Sequence, residues 1–137
     1  MDIYGILAHP AGHSLSPAMH NAGFKALNLN AKYQRFDIPP EDLEQFIQKV
    51  RKENIKGLNV STPHKENVMA LLDVIDDIAN TIGAVNTIVN KNGELHGTNV
   101  DWLGQLSISG AKNYRGWHTR GKIVGVRWNE LLKIIFW

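Results

Sequence analysis

Short apolar runs alternate along this chain with segments of helical periodicity, and this alternation limits the possible folds more than any other feature. Strands are predicted at Ile3 to Ala8, Ala31 to Asp37 and Ile55 to Leu58, with helical segments between them. Repeated β-α-β units form mostly parallel sheets with right-handed crossovers. We therefore predict an α/β fold in which a mostly parallel sheet carries helices on both faces, in three α/β/α layers.

Two helices are predicted between these strands. The first begins at Ser16, a natural N-cap, with Pro17 at the first helical position. The second begins near Pro40, and the basic residues in its last turn complement the helix dipole. The residues expected to face the core are Met19, Ala22, Gly23, Ala26 and Leu27 in the first helix, and Leu43, Phe46, Ile47 and Val50 in the second.

The second half of the chain is predicted to finish the sheet with a hairpin. A short helix is expected over Glu66 to Asp73, with a second helix, or its continuation, over Val74 to Asn80. Ile82 to Val89 is predicted as a strand, and Glu94 to Thr98 as the strand that returns after the Asn-Gly hairpin signal at Asn92. This hairpin would add an antiparallel edge to the parallel sheet.

Polar residues follow the apolar run that ends at Leu58. Asn59 to Lys65 has the sequence Asn-Val-Ser-Thr-Pro-His-Lys, which places hydroxyl, amide and lysine side chains after a predicted strand. In open α/β sheets ligands bind beyond the carboxyl ends of strands, so this junction is a candidate site. The alternative is a capped helix, with Thr62 as N-cap, Pro63 at the first helical position and Lys65 in solvent. The heptapeptide alone is compatible with both interpretations.

Composition limits the function classes. The chain of 137 residues is long enough for one domain with a buried core, and it contains no apolar run that could span a bilayer. Its zero cysteines exclude disulfides, thiolate metal sites and a cysteine nucleophile, and we predict no metal site. The start, Met1 to Tyr4, has neither a basic leader nor a small-residue cleavage site, so we expect no signal peptide and a cytoplasmic location.

Charge divides the chain unevenly. Residues 1–110 hold 9 Lys and Arg against 12 Asp and Glu, whereas residues 111–137 hold 6 against 1. The second stretch also contains Trp117, Trp128 and Trp137. Basic residues interleaved with aromatics can bind single-stranded nucleic acid, but no recognisable module is present, so we predict neither a nucleic-acid nor a membrane partner. We divide the chain into a domain of residues 1–110 and an atypical basic, tryptophan-rich tail of residues 111–137.

Four motifs together resemble the shikimate dehydrogenase family. They occur in the family's order and cover roughly the first 110 residues. A single motif would be weak, but the set is highly specific. The motifs are His13-Ser14-Leu15-Ser16-Pro17 with His20-Asn21, Asn59 to Lys65, Ile82-Gly83-Ala84-Val85-Asn86-Thr87, and Gly97-Thr98-Asn99-Val100-Asp101.

The resemblance implies an NADP-dependent oxidoreductase that interconverts 3-dehydroshikimate and shikimate on the route to chorismate and the aromatic amino acids. In that family the N-terminal domain binds the small-molecule substrate, and a C-terminal Rossmann domain binds the nucleotide. By motif, Lys65 and Asp101 are implied as catalytic residues. Ser14 and Ser16 are implied to bind the substrate carboxylate, and Asn86 and Asp101 to bind the ring hydroxyls. Further implied substrate contacts are Asn59, Lys65 and Ser61, which stands where the family usually has Thr.

The chemistry of the reaction is consistent with these residue types. Hydride transfer to a ketone leaves an alkoxide, and a proton donor beside the carbonyl oxygen stabilises the transition state. Lysine suits this role because its pKa responds readily to burial and to neighbouring groups. A nearby carboxylate favours the charged ammonium, so Asp101 is expected to orient the substrate hydroxyl and Lys65 rather than to lower the pKa of Lys65.

The sequence departs from the family pattern in two places. Val100 replaces a Thr that the family commonly has, which removes a hydroxyl near Asp101 and predicts some loss of substrate contact. After Gly104 there is no glycine-rich phosphate loop, although Gly121 to Val126 resembles a remnant of the strand that precedes one. The NADP-binding Rossmann domain is therefore apparently missing, and no cofactor-binding residue is identified.

Two hypotheses follow from these departures. In the first, the chain is the substrate-binding half of a shikimate dehydrogenase whose cofactor half is absent through truncation or a frame change. In the second, it is a non-catalytic module that binds shikimate or quinate, or an inactive product. A glycine-rich loop in another reading frame of the coding DNA near codon 105 would favour the first hypothesis over an evolved binding module.

Overall fold

The structure is a computed structural model that describes residues 1–101, of which Met1–Val100 form one compact unit. The predicted tail of residues 111–137 and the predicted boundary at residue 110 lie outside the described residues. The elements in chain order are β1 (Asp2–Ala8), α1 (Ser16–Ala26), β2 (Ala31–Asp37), a 3-10 helix (Pro40–Asp42), α2 (Leu43–Lys52), β3 (Gly57–Val60), a 3-10 helix (Asn67–Leu71), β4 (Val74–Ile75), α3 (Asp77–Ile82), β5 (Thr87–Lys91) and β6 (Glu94–Thr98).

The strands of this unit form one mixed sheet in the order β2-β1-β3-β5-β6-β4. β1 is parallel to both β2 and β3, and β4 is parallel to β6, whereas β5 is antiparallel to β3 and β6. Tyr33 of β2 contacts α1 and Phe36 contacts α2, and these two residues point to opposite faces because side chains alternate along a strand. Helices therefore cover both faces, which confirms the predicted α/β fold.

The main hydrophobic core lies between the sheet and α2. The predicted stripe of α2 is confirmed, since Leu43, Phe46, Ile47 and Val50 are all buried. They pack with strand residues that include Leu7, Leu58, Ile88 and Leu95. Burying an aliphatic side chain of this size contributes roughly 1.5–3 kcal/mol. The part of the chain that the structure describes has no helix long and apolar enough to cross a membrane.

The hairpin between β5 and β6 is confirmed, but the predicted antiparallel edge is wrong, because β4 pairs in parallel with β6 and forms the edge of the sheet. Lys91 pairs with Glu94, which leaves Asn92 and Gly93 as a two-residue turn. Both have positive φ, 56° and 98°, as the turn that matches strand twist requires. The side chain of Asn90 supports this turn, because its carbonyl oxygen accepts the Gly93 N–H at 2.7 Å and its amide donates to the Val50 carbonyl at 3.0 Å.

The predicted core face of α1 is wrong. No residue of α1 is buried, and the Met19 and Leu27 side chains are largely exposed, as are Ala22 and Ala26. The side of α1 that meets the sheet carries His20, Asn21 and Phe24 instead. The physical reason is that the partner strand β2 lies at the edge of the sheet, where the Asn21 amide pairs with backbone groups of Tyr33.

Three predicted elements between residues 66 and 89 need correction. The helix predicted over Glu66 to Asp73 is a 3-10 helix of Asn67–Leu71, and Val74 to Asn80 divides into β4 and the start of α3. The strand predicted from Ile82 begins only at Thr87, because Ile82 ends α3 and Gly83, with φ 77°, provides its left-handed C-cap. β4 was missed because its two residues are extended only through pairing with His96 and Gly97.

Arg51 links three segments around the end of α2. Its guanidinium donates to the Asp73 carboxylate, to the Gly93 carbonyl at 2.6 Å and to the Leu71 carbonyl at 3.0 Å. The same Asp73 oxygen accepts the Leu95 N–H at 2.7 Å. Arg51 therefore fixes the hairpin turn and the start of β4 against α2, in addition to its favourable place near the helix C-terminus.

We predict that Arg51→Ala lowers the free energy of unfolding by about 2–3 kcal/mol, because charge-assisted hydrogen bonds to a carboxylate and two carbonyls are lost together. The matched control is Lys49→Ala in the same helix turn. The Lys49 ammonium lies 3.9 Å from the Glu53 carboxylate with both side chains more than half exposed, a pair that contributes only about 0.3–0.5 kcal/mol. Urea denaturation measures both variants, and equal losses would contradict the role of Arg51.

The Arg51 contact also predicts acid sensitivity. The Arg51 guanidinium, followed by the Leu95 N–H, lowers the pKa of Asp73 below its ordinary value. A lowered pKa in the folded state stabilises the fold above the unfolded-state pKa of about 4, and this stabilisation is lost as the pH falls through the folded-state pKa. Asp73→Asn should therefore flatten the dependence of unfolding free energy on pH below about pH 4. A profile as steep as that of the unsubstituted chain would contradict it.

Candidate functional site

The strand ends that carry the predicted site residues meet at one edge of the sheet. Asn59 of β3 pairs with Ile6 on one side and with Thr87 on the other, and Thr87 pairs with Thr98. β1, β3 and β6 run toward this edge and β5 runs away from it, so the residue preceding β5 lies beside those that follow β3 and β6. The backbone confirms this, since Val60 N–H donates to the Asn86 carbonyl at 2.7 Å and Asn86 N–H to the Thr98 carbonyl at 3.0 Å.

Ser14 and Ser16 lie where the loop after β1 enters α1. The N-cap predicted at Ser16 is wrong: Leu15 occupies that position, and Ser16 is the first residue of the helix. The Ser14 hydroxyl accepts the backbone N–H of Ser16 at 3.2 Å and so satisfies one of the free donors of the first turn. Both serine side chains are half-buried. Their hydroxyls stand beside the N-terminus of α1, whose dipole favours a negatively charged group.

The loop that carries Ser14 is held by two charged residues of β2. The Arg35 guanidinium donates to the Ser14 carbonyl at 2.7 Å. His9 Nδ1 donates to the Asp37 carboxylate at 2.8 Å, and this imidazole, with the Ala11 N–H, lowers the pKa of Asp37. The backbone N–H of His9 also donates to the Thr62 carbonyl at 3.1 Å. These contacts connect the loop to the carboxyl ends of β2 and β3.

The segment that follows β3 is not a helix, so the capped-helix alternative with Thr62 as N-cap is wrong. Tertiary backbone bonds hold it instead: Ser61 N–H donates to the Leu7 carbonyl at 2.9 Å, and Val85 N–H donates to the Lys65 carbonyl at 2.8 Å. The half-buried side chains of Ser61 and Lys65 therefore start from a fixed backbone. His64 between them is fully buried and donates through Nε2 to the Ile38 carbonyl at 2.7 Å.

Asn86 is nearly buried at the centre of this edge. Its side-chain oxygen accepts the Thr87 hydroxyl at 2.9 Å and the Val100 N–H at 3.0 Å, which uses both lone pairs. Two donors of the chain itself therefore hold the Asn86 side-chain oxygen in place. The neighbouring Asn99 is also buried, and its amide donates to the Ala84 carbonyl at 3.0 Å.

The structure thus brings together Ser14, Ser16, Asn59, Ser61, Lys65 and Asn86 on loops and strand ends that are joined by backbone hydrogen bonds. Asp101 is exposed and follows the compact unit that ends at Val100.

Tyr33 is the main residue at this edge that the sequence analysis missed. Its hydroxyl donates to the Asn59 side-chain oxygen at 2.7 Å, and burial raises the pKa of this phenol well above its ordinary value. The alternating pattern of β2 only predicts that Tyr33 faces a core, and the sequence contains no signal that its hydroxyl reaches Asn59 of β3. Arg35 and the His9–Asp37 pair were missed for the same reason.

Residues 1–101 do not provide a dinucleotide site. None of their glycines forms a glycine-rich loop that opens a helix, the arrangement that binds a pyrophosphate. Nor does any group of three His, Asp or Glu side chains in this range have the geometry of a metal site. The chemistry available at this edge is that of hydrogen bonds from hydroxyl, amide and lysine side chains.

Comparison with known proteins identifies the family. Residues 6–88 match the shikimate dehydrogenase substrate binding domain. A shikimate dehydrogenase (NADP(+)) of Symbiobacterium thermophilum is 53% identical over 104 residues, which are 76% of this chain and 35% of that enzyme. The chain therefore spans only about a third of the length of this relative.

Solved structures agree with the sequence comparison. Shikimate 5-dehydrogenase of Thermus thermophilus, solved in complex with NADP(H) and shikimate, is 39% identical with a TM-score of 0.74, over 80% of this chain and 43% of that one. The 5-ketofructose reductase of a Gluconobacter strain is 30% identical with a TM-score of 0.76, over 82% and 40%. The match over residues 6–88 covers more than half of the chain, and the chain belongs to the shikimate dehydrogenase family through its substrate-binding domain.

Proposed function

We propose that this chain is the substrate-binding half of an NADP-dependent shikimate dehydrogenase, which interconverts 3-dehydroshikimate and shikimate in the cytoplasm. The observation that supports the proposal is that the ends of β1, β3 and β5, next to which these hydroxyl and amide residues stand in the chain, meet at one edge of the sheet. A cyclic acid with several hydroxyl groups requires such a set of convergent hydrogen bonds. The zero cysteines of the chain are consistent with a reducing compartment.

The carboxylate end of the substrate is assigned to Ser14 and Ser16. Their hydroxyls lie beside the N-terminus of α1, and Arg35 is bonded to the Ser14 carbonyl. Residues 1–101 carry 9 Lys and Arg against 12 Asp and Glu, so the domain as a whole does not attract anions. Local donors and the nearby guanidinium must therefore stabilise the carboxylate.

The ring end of the substrate is assigned to Asn59, Ser61, Asn86 and Asp101. Asn86 contacts a ring hydroxyl, from a side chain whose oxygen is held by the Thr87 hydroxyl and the Val100 N–H. Lys65 donates a proton to the oxygen on which negative charge develops, and Asp101 orients Lys65 and the reacting hydroxyl. The hydride itself would be supplied by NADPH, which a second domain binds in this family.

The alternative is a non-catalytic module that binds shikimate or quinate, or an inactive truncated product. The same convergent side chains support binding in both cases, so binding alone does not separate them. Activity restored by a cofactor domain separates them, since a module that has lost catalytic geometry would bind its ligand without turnover.

We predict that the 137-residue chain binds shikimate weakly. A ligand gains roughly 0.3 kcal/mol of binding free energy per non-hydrogen atom, and shikimate has about a dozen such atoms. The expected dissociation constant is therefore on the order of millimolar. Backbone amide signals of Ser16, Ser61 and Asn86 should shift in NMR titration, and methyl shikimate, which lacks the carboxylate charge, should bind more weakly. An absence of shifts in a folded sample at millimolar shikimate would contradict the site.

We predict that the chain alone shows negligible NADP-linked turnover and that fusion to a homologous cofactor domain produces activity. In the fusion, Lys65→Ala should lower kcat by roughly 10²–10⁴, the effect of removing an acid–base group, while shikimate affinity falls much less. Lys91→Ala is the control, because Lys91 pairs with Glu94 at the hairpin turn, the opposite end of β5 from Asn86. Steady-state NADPH formation is the measurement.

Two outcomes would contradict this assignment. Robust turnover by the unfused chain would overturn the division into two domains. Full activity of the fused Lys65→Ala variant would overturn the role of Lys65. Shikimate binding without turnover by the unsubstituted fusion would favour the non-catalytic module.

A further inference from the structure

Asn21 joins helix α1 to the strand β2. Its side-chain oxygen accepts the Tyr33 backbone N–H and its amide nitrogen donates to the Tyr33 carbonyl, both at 2.8 Å. β2 forms one edge of the sheet, where the outward backbone groups of a strand have no neighbouring strand to pair with. The Asn21 side chain therefore takes the place of a neighbouring strand at Tyr33. Asn21 belongs to the His20-Asn21 part of the first family motif, which the proposed function does not use.

These two hydrogen bonds are directional contacts that fix the register of α1 along β2. No residue of α1 is buried, so close packing of apolar side chains does not fix the position of the helix. The aromatic contacts tolerate small shifts: the His20 and Tyr33 ring centroids are 4.3 Å apart, and those of Phe24 and Tyr4 are 5.6 Å apart. The paired bonds of Asn21 are stricter, because the oxygen and the nitrogen must both meet their partners at hydrogen-bond distance.

The register of α1 determines where the residues assigned to the substrate carboxylate stand. Ser16 is the first residue of α1 and precedes Asn21 by about one and a half helical turns. The Ser14 hydroxyl accepts the Ser16 N–H at 3.2 Å, so Ser14 is tied to the same end of the helix. Because the backbone hydrogen bonds of a short helix keep it in one piece, a shift of α1 at Asn21 displaces both hydroxyls.

We propose that Asn21 is a positioning residue that holds α1 in the register in which Ser14 and Ser16 bind the substrate carboxylate. This inference rests on the proposed function and adds a residue to it. Asn21 is bonded to the backbone of β2 and acts on the substrate only through the placement of α1. Polar groups that are already in place bind more tightly than groups that must be ordered when the ligand arrives.

Amide hydrogen exchange tests the proposal in the unsubstituted 137-residue chain. If the bonds of Asn21 favour carboxylate binding, a bound carboxylate must favour the bonds of Asn21 by the same factor. Saturating shikimate should therefore slow exchange of the Tyr33 N–H roughly 3- to 10-fold. The Gly93 N–H is the matched control, because it donates to the Asn90 side-chain oxygen at 2.7 Å in the hairpin turn. Its exchange rate should change by less than about twofold.

Asn21→Ala removes both bonds and keeps a residue that favours helix. In NMR titration its affinity for shikimate should fall roughly 3- to 10-fold, the effect of about one neutral hydrogen bond. Its affinity for methyl shikimate, which lacks the carboxylate charge, should fall by less than about twofold. The matched control is Asn90→Ala, because the Asn90 side chain also accepts one backbone N–H and donates to one backbone carbonyl. This variant should be less stable but bind both ligands within about twofold of the unsubstituted chain.

The outcomes distinguish this proposal from the function on which it rests. If the unsubstituted chain does not bind shikimate at all, both are overturned. If it binds shikimate, the positioning role alone is overturned by either of two results: equal effects of shikimate on the Tyr33 and Gly93 amides, or equal changes in the affinity of Asn21→Ala for the two ligands. Slower exchange at Tyr33 only, with a loss of affinity in Asn21→Ala that is confined to shikimate, supports the proposal. If Asn21→Ala does not fold, the exchange of the Tyr33 N–H decides by itself.

Discussion

Asn86 is the residue on which the arrangement of this edge depends most. Its backbone carbonyl and N–H bond to Val60 at the end of β3 and to Thr98 at the end of β6, and its side-chain oxygen bonds to Thr87 and Val100. An unpaired buried amide group costs free energy of folding, so these four bonds fix where the ends of β3, β5 and β6 lie relative to one another. The site is therefore built into the hydrogen-bonding requirements of the sheet and does not rest on a mobile loop.

The fold was predictable where one interaction dominates a segment. β2 and β6 have the predicted bounds, and the apolar stripe of α2 is buried. In these segments the spacing of apolar residues directly indicates which side chains are buried. The prediction failed where tertiary contacts determine the conformation. β4 is extended only through its pairing with β6, and α1 meets the sheet through His20, Asn21 and Phe24 rather than through its more apolar side.

The site was predictable to a similar extent. Polar residues after strands indicated an edge where ligands bind, and the structure joins those strand ends as the β-α-β pattern requires. The contacts of Tyr33, Arg35 and His9 were not predictable, because each reaches a residue 21 to 28 positions away, across strand pairs whose register the sequence does not specify. Ser16 illustrates the difference: its residue type indicated an N-cap, but Leu15 is the N-cap and the Ser14 hydroxyl accepts the backbone N–H of Ser16.

Val100 departs from the family pattern in its side chain but keeps a backbone hydrogen bond at the candidate site. The sequence predicts some loss of substrate contact there, because Val replaces the Thr that the family commonly has. In the structure the backbone N–H of Val100, rather than its side chain, donates to the Asn86 oxygen at 3.0 Å. Any residue other than proline provides that donor. The bond that holds the Asn86 side-chain oxygen is therefore preserved with Val, and the missing hydroxyl affects at most a direct contact with the substrate.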